Sequence, residues 1–177
     1  VVKHALIHDP DLFELIEDHL VPVMRYEDRT LVSSVIERAV QVKADVVSAD
    51  EREQGRRAIL NFGHTFAHAL ERVAGYGTFT HGEAVALGMR AALYLSHQRH
   101  PEALDRDRLD YVVDAIPTQG DPTSISFDEL YAAMSVDKKN KGETIRFVLL
   151  KRLGQAYVTS EVSESDVRKA WSYVCSR

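Results

Sequence analysis

Residues 61–71 read Asn61-Phe62-Gly63-His64-Thr65-Phe66-Ala67-His68-Ala69-Leu70-Glu71. His64 and His68 stand four residues apart, so a helix here carries both imidazoles on one face. Ile59, Leu60, Phe62, Phe66 and Leu70 fall on the other side as an ordinary apolar stripe. The polar stripe extends backward through Asn61 and Arg57 to Glu53, in steps of three and four. A continuous helix would line all five groups along one side, although Gly55 and Gly63 weaken its continuity. A plain solvated face is the competing explanation. Such faces are usually rich in Lys and Glu, whereas this one holds two histidines, an asparagine and an arginine. A third histidine, His81, follows after the turn Gly75-Tyr76-Gly77. Two imidazoles on one helix and one on its neighbour fit metal-ligand geometry.

Working outward, the pattern stays mainly helical. Leu12, Phe13, Leu15 and Ile16 predict a short helix ending before Pro22. Leu31, Val32, Val35, Ile36, Ala39, Val40, Val46 and Val47 predict a long one over about 30–48, and the histidine helix covers roughly 56–74. Thr80 and Glu83 form a T-x-x-E capping box for a helix continuing to His97. Further helices are predicted near 102–115 and 126–136. The period then changes: Thr144 to Leu150 is a β-type run, and Gln155-Ala156-Tyr157-Val158 follows Gly154, which predicts a small hairpin over 144–158. A last helix covers about 163–175. The class is mostly α with one small β-hairpin, without a Gly-rich nucleotide fingerprint or βαβ alternation.

The 177 residues, 45% hydrophobic and 28% charged, suit one ordinary globular domain. A net charge of −5 gives no basis for a nucleic-acid or anionic-membrane surface. No apolar run approaches the roughly 20 residues that span a bilayer. Cys175 is the single cysteine, so no internal disulfide forms, which fits a reducing compartment. The start, Val1-Val2-Lys3-His4, is neither a signal peptide nor an initiator sequence, and the chain reads as beginning inside a longer protein.

Other features divide between chemistry and packing. Lys43 shares a helix face with Ile36, Ala39 and Val46, in the stripe expected to be buried. It either snorkels outward, which spacing slightly favours, or is held over a cavity to meet an anion. Asp137-Lys138-Lys139-Asn140-Lys141-Gly142 could receive a phosphate or carboxylate, but alone it reads as a solvated turn. His8-Asp9 reads as surface, and Cys175 has no partner for catalysis.

Taken together, these segments resemble the C-terminal half of 3-dehydroquinate synthase, in the sugar-phosphate cyclase superfamily. The residues that carry the likeness are Lys43-Ala44-Asp45-Val46-Val47, Asp50-Glu51-Arg52-Glu53, Arg57, Leu60 to Phe66, His68-Ala69, Glu71, Gly75-Tyr76-Gly77, His81-Gly82-Glu83-Ala84-Val85-Ala86, Gly88-Met89 and Asp137-Lys138-Lys139. They span essentially the whole chain and are densest from 43 to 89. Ala67 departs from the glycine usual between the two histidines.

The resemblance implies a helical metal- and substrate-binding domain over 1–177, with the NAD-binding N-terminal domain outside this chain. It implies that His64 and His81 bind Zn2+ or Co2+, with the third ligand a glutamate just before Val1. His68 would contact substrate and, with Glu53, move protons. Lys3, Lys43, Arg57, Asn61 and Lys138 would bind the anionic and hydroxyl groups of a small sugar-acid phosphate, 3-deoxy-D-arabino-heptulosonate 7-phosphate. Lys43, Glu53, Arg57, Asn61, His68 and Lys138 are expected to face one common cleft that opens where Val1 leaves the domain. A cytoplasmic homodimer is implied for the full-length enzyme, with no nucleic-acid or membrane partner. Rival readings are another cyclase of the valiolone or inosose type, the helical half of an iron-type alcohol or glycerol dehydrogenase, and a non-catalytic metal-binding or dimerisation domain.

Overall fold

In the computed structural model the described residues are 1–50, 55–75, 77–139 and 144–177, with the side chains of 56 and 136–139 set aside. Glu53 therefore lies outside them, as does the side chain of Lys138.

Three short helices open the fold: α1 (Val2–His8), α2 (Pro10–Asp18) and α3 (Leu20–Met24). Asp9 caps α2 by accepting from Leu12 N at 3.0 Å, and Pro10 occupies the first helical position. Arg38 donates to the same carboxylate at 2.7 Å, so Asp9 also ties α2 to the long helix Arg29–Ser48. That gives the His8-Asp9 doublet a structural role. Helix α2 ends at Asp18, before Pro22, as expected. Pro22 itself sits within the first turn of α3, where its missing N–H would have no intrahelical partner anyway.

Helix α4 (Arg29–Ser48) is close to its predicted span, but its buried face is Val35, Ala39, Val42 and Val46. Ile36 is 46% exposed and Lys43 is exposed as well, so the buried stripe expected through Ile36 and Lys43 is turned by about one residue.

The predicted helix over 56–74 is two pieces. Arg56–Asn61 is a 3-10 segment, and α5 (His64–Ala74) starts only after Phe62-Gly63. Gly63 adopts a positive φ of 80°, which an L-residue with a side chain rarely takes, and a Cβ there would lie 2.8 Å from Met89 N. Asp50, itself buried, accepts from Gly55 N at 3.0 Å and Arg57 N at 2.9 Å, pinning the 3-10 segment to the end of α4. Arg57 and Asn61 are thus not in helical register with His64 and His68.

The central element is α6 (His81–Arg99), buried almost all round from Ala84 to Ser96. The capping box is present: Thr80 Oγ1 accepts from Glu83 N, and Glu83 Oε2 accepts from Thr80 N at 2.8 Å. Helices α7 (Arg106–Asp114), α8 (Phe127–Lys139) and α9 (Glu164–Cys175) follow. α5, α7 and α9 pack around α6, and α8 packs on α5. Lys138 and Lys139 thus continue α8 rather than forming a turn before the strand.

The strands β1 (Phe147–Arg152) and β2 (Gln155–Thr159) pair antiparallel with Leu149 opposite Tyr157. Phe147 to Leu150 are all buried because β1 lies on α6. The buried Ser96 hydroxyl accepts from Leu150 N at 2.9 Å and donates to Ala92 O, so the strand's polar backbone is satisfied against the helix. Among the described residues this hairpin is the only sheet, and no helix is long and apolar enough to cross a membrane.

Candidate metal and substrate site

His64 is the first residue of α5 and His81 the first of α6, so both imidazoles project from helix starts that lie side by side. Their ring centroids are 5.5 Å apart. His68, one turn along α5, has its ring 5.4 Å from His64 and 6.4 Å from His81. The three histidines singled out in the sequence are therefore brought together.

Two of these rings are held through Nδ1. His64 Nδ1 lies 3.1 Å from Phe62 O, and His81 Nδ1 lies 3.0 Å from Glu71 Oε1. A ring that gives its Nδ1 proton to a carbonyl or carboxylate presents a neutral Nε2 with its lone pair free for a metal. Burial, followed by the positive charge of Lys3, pushes the His64 pKa down to about 4, against an upward pull from the Phe62 carbonyl. His64 is thus neutral near pH 7, as ligation requires. The donor chemistry and convergence fit a divalent metal with His64 and His81 as two of its ligands. The described residues do not by themselves supply a group of three His, Cys, Asp or Glu able to hold a metal.

A cleft of about 680 Å³ opens beside these rings. It is lined by Val1, Lys3, His4, His64 and His81 together with the apolar side chains of Met24, Val35, Val85 and Ile116. Burial, and then the charge of nearby Lys43, lowers the Lys3 pKa. Lys43, Arg57, Asn61 and His68 are exposed and do not form part of this cleft's lining, although His68 adjoins it through His64. Of the six groups expected to face one common cleft, Lys43, Arg57, Asn61 and His68 are not among this one's lining, and Glu53 and the side chain of Lys138 lie outside the described residues; Lys3, His64 and His81 line it instead.

Two residues escaped the sequence reading. His4 lines the cleft with its Nδ1 buried and unpartnered, and burial, then the positive charges of Lys3 and Lys43, pushes its pKa down. Glu71 holds His81. Its signal was present, because His64, His68 and Glu71 follow i, i+4, i+7 spacing on one helix face.

The model of the family described as "3-dehydroquinate synthase C-terminal" matches residues 1–140. The chain belongs to that family. The 3-dehydroquinate synthase of Salinibacter ruber is 73% identical over 99% of this chain and 48% of its own length. That of Dichelobacter nodosus is 41% identical over 94% of the chain and 46% of its own length. The chain thus spans about half the length of the curated relatives it matches. Among solved structures, a 2-epi-5-epi-valiolone synthase from Streptomyces hygroscopicus subsp. jinggangensis shares the fold, with a TM-score of 0.78 and 24% identity over 99% of this chain and 49% of that one. A 2-deoxy-scyllo-inosose synthase complexed with carbaglucose-6-phosphate, NAD+ and Co2+ aligns with a TM-score of 0.72 and 26% identity over 96% of this chain and 48% of that one.

Proposed function

We propose that this chain is the metal- and substrate-binding half of a 3-dehydroquinate synthase, working with an NAD-binding half. The full-length enzyme would convert 3-deoxy-D-arabino-heptulosonate 7-phosphate to 3-dehydroquinate and phosphate. The observation that carries this reading is the convergence of His64, His68 and His81 beside a cleft flanked by Lys3. Its support is the family membership and the 73% identity to the Salinibacter ruber enzyme, against 24% to the valiolone synthase of like fold.

His64 and His81 would hold a divalent ion, Zn2+ or Co2+, through Nε2, and the third ligand would be a glutamate preceding Val1. When bound, that ion supplies Lewis acidity toward a substrate hydroxyl and ketone, and NAD supplies the hydride chemistry. Lys3 and Lys43 bind and orient one anionic end of the substrate, and Arg57, Asn61 and Lys138 bind its remaining anionic and hydroxyl groups. His68, exposed and one turn from His64, gives or takes a proton at a substrate oxygen, with Glu53 as the second proton-transfer group. The apolar side chains of the cleft exclude water from the reacting ring. Homodimer formation and a cytoplasmic location belong to the same reading.

The experiment supplies the full-length protein with NAD+, Zn2+ and the heptulosonate phosphate and follows inorganic phosphate. Release with NAD+ regenerated is the expected result. Accumulation of NADH without phosphate release would support a dehydrogenase, and turnover only with a sugar phosphate that lacks a carboxylate would support a valiolone- or inosose-type cyclase.

A further inference from the structure

Glu71 has no part in the chemistry proposed above, yet it touches the metal site. It lies on α5, seven residues after His64, and its Oε1 approaches His81 Nδ1 at 3.0 Å across the gap between α5 and α6. The helix that carries His64 therefore also carries the group that orients its partner.

We propose that Glu71 is a positioning residue of the metal centre: its carboxylate accepts the Nδ1 proton of His81, fixes Nε2 as the ligand atom and aims that ring at the ion shared with His64. This rests on the reading of His64 and His81 as ligands. The two rings need different restraints. His64 stands against the carbonyl of Phe62, two residues before it, so the backbone itself sets its tautomer. His81 is the first residue of α6, with a side chain 61% exposed, and the Thr80–Glu83 cap fixes its backbone but not its ring. Glu71 supplies the missing restraint. A contact this open to water adds little to folding, so its effect falls on the metal rather than on stability.

The test measures Zn2+ affinity of the full-length protein by competition with a chromophoric chelator. Glu71→Gln keeps size and hydrogen-bonding ability but removes the charge, and Glu71→Ala removes the acceptor. Each is expected to weaken Zn2+ binding by about 10–100-fold while the metal-free melting temperature holds. Adding Glu71→Gln to His81→Ala is expected to cause no further loss, because the ring it serves is gone. Unchanged Zn2+ affinity in both Glu71 variants, or the same loss again in the His81→Ala background, overturns the proposal and leaves the metal site standing. Zn2+ affinity that survives both His64→Ala and His81→Ala overturns the metal-site reading itself.

Discussion

Gly63 and Gly88 meet backbone to backbone: a methyl group at Gly88 would fall 2.1 Å from the Gly63 carbonyl oxygen. This contact sets how closely α5 approaches α6, and so how near His64 comes to His81. Gly88→Ala is expected to cost about 3 kcal/mol of stability, since neither backbone has a flexible side chain to move aside. Metal affinity should fall with it. Thermal melts and a Zn2+ titration of the variant check both, and a wild-type melting temperature would contradict the tight approach.

Loss of the α6 cap should act on stability and on the ligand at once. Thr80 precedes His81, and its hydroxyl takes the Glu83 amide while Glu83 takes the Thr80 amide. Thr80→Ala is expected to destabilise by about 1 kcal/mol. Zn2+ should also bind more weakly, because the first turn that presents His81 frays. Thr80→Ser should behave like the parent in both measurements.

His68 and His64 should separate by metal content. Ring distance alone allows His68 to join the ion, since its centroid is as close to His64 as that of His81. Catalytic zinc sites usually keep one position open for substrate, and a further protein ligand would close it. In the full-length enzyme His68→Ala should keep its metal and lose most of kcat, whereas His64→Ala should lose both. Zinc analysis of the two purified variants decides this; equal metal loss would make His68 a ligand.

His4 predicts an acid limit. Its folded pKa is about 4, below the ordinary 6.5, so the unfolded chain takes up a proton first as pH falls. Stability should therefore be complete above about pH 6.5, decline between 6.5 and 4, and level off below. Glu83 adds a second loss at lower pH. The Gln119 amide, followed by the Thr80 groups, holds its carboxyl below 4.5, so its contribution is present above 4.5 and disappears as it protonates. His64, lowered to about 4 as well, contributes in the same window, so melting temperatures should show a slope between pH 6 and 5 that is reduced in His4→Gln and reduced further when His64 is also replaced. An unchanged slope would place the acid sensitivity elsewhere.

The elements legible in the sequence were those whose signals are local. The Thr80–Glu83 box, the switch of period before the hairpin and the long run of α4 each needed only a few neighbouring residues. What escaped was decided by tertiary contact. The break at Gly63 follows from its packing on Gly88 and Met89, which lie 25 and 26 residues away in sequence. On α4, Ile36 and Lys43 fit the three-and-four spacing as well as Val35 and Val42 do, and docking against α1 and α2 chose the latter pair. Helix α1 spans only seven residues, too few for periodicity to register, although Ala5, Leu6 and Ile7 are wholly in the core. At the site, the three histidines were legible from their spacing. The role of Glu71 was not, because it depends on how two helices sit side by side.

The interruption at Phe62-Gly63 has a consequence for how such a site changes over time. Arg57 and Asn61 belong to a segment anchored by Asp50 to α4, while His64 and His68 belong to a helix anchored to α6. A single helix through all of them would transmit every rotation or length change from Arg57 and Asn61 to the imidazoles. With the joint in place, residues 56–61 can exchange side chains while the imidazoles stay where they are. On the function proposed above, substrate choice and metal chemistry would then be separately heritable traits of one domain.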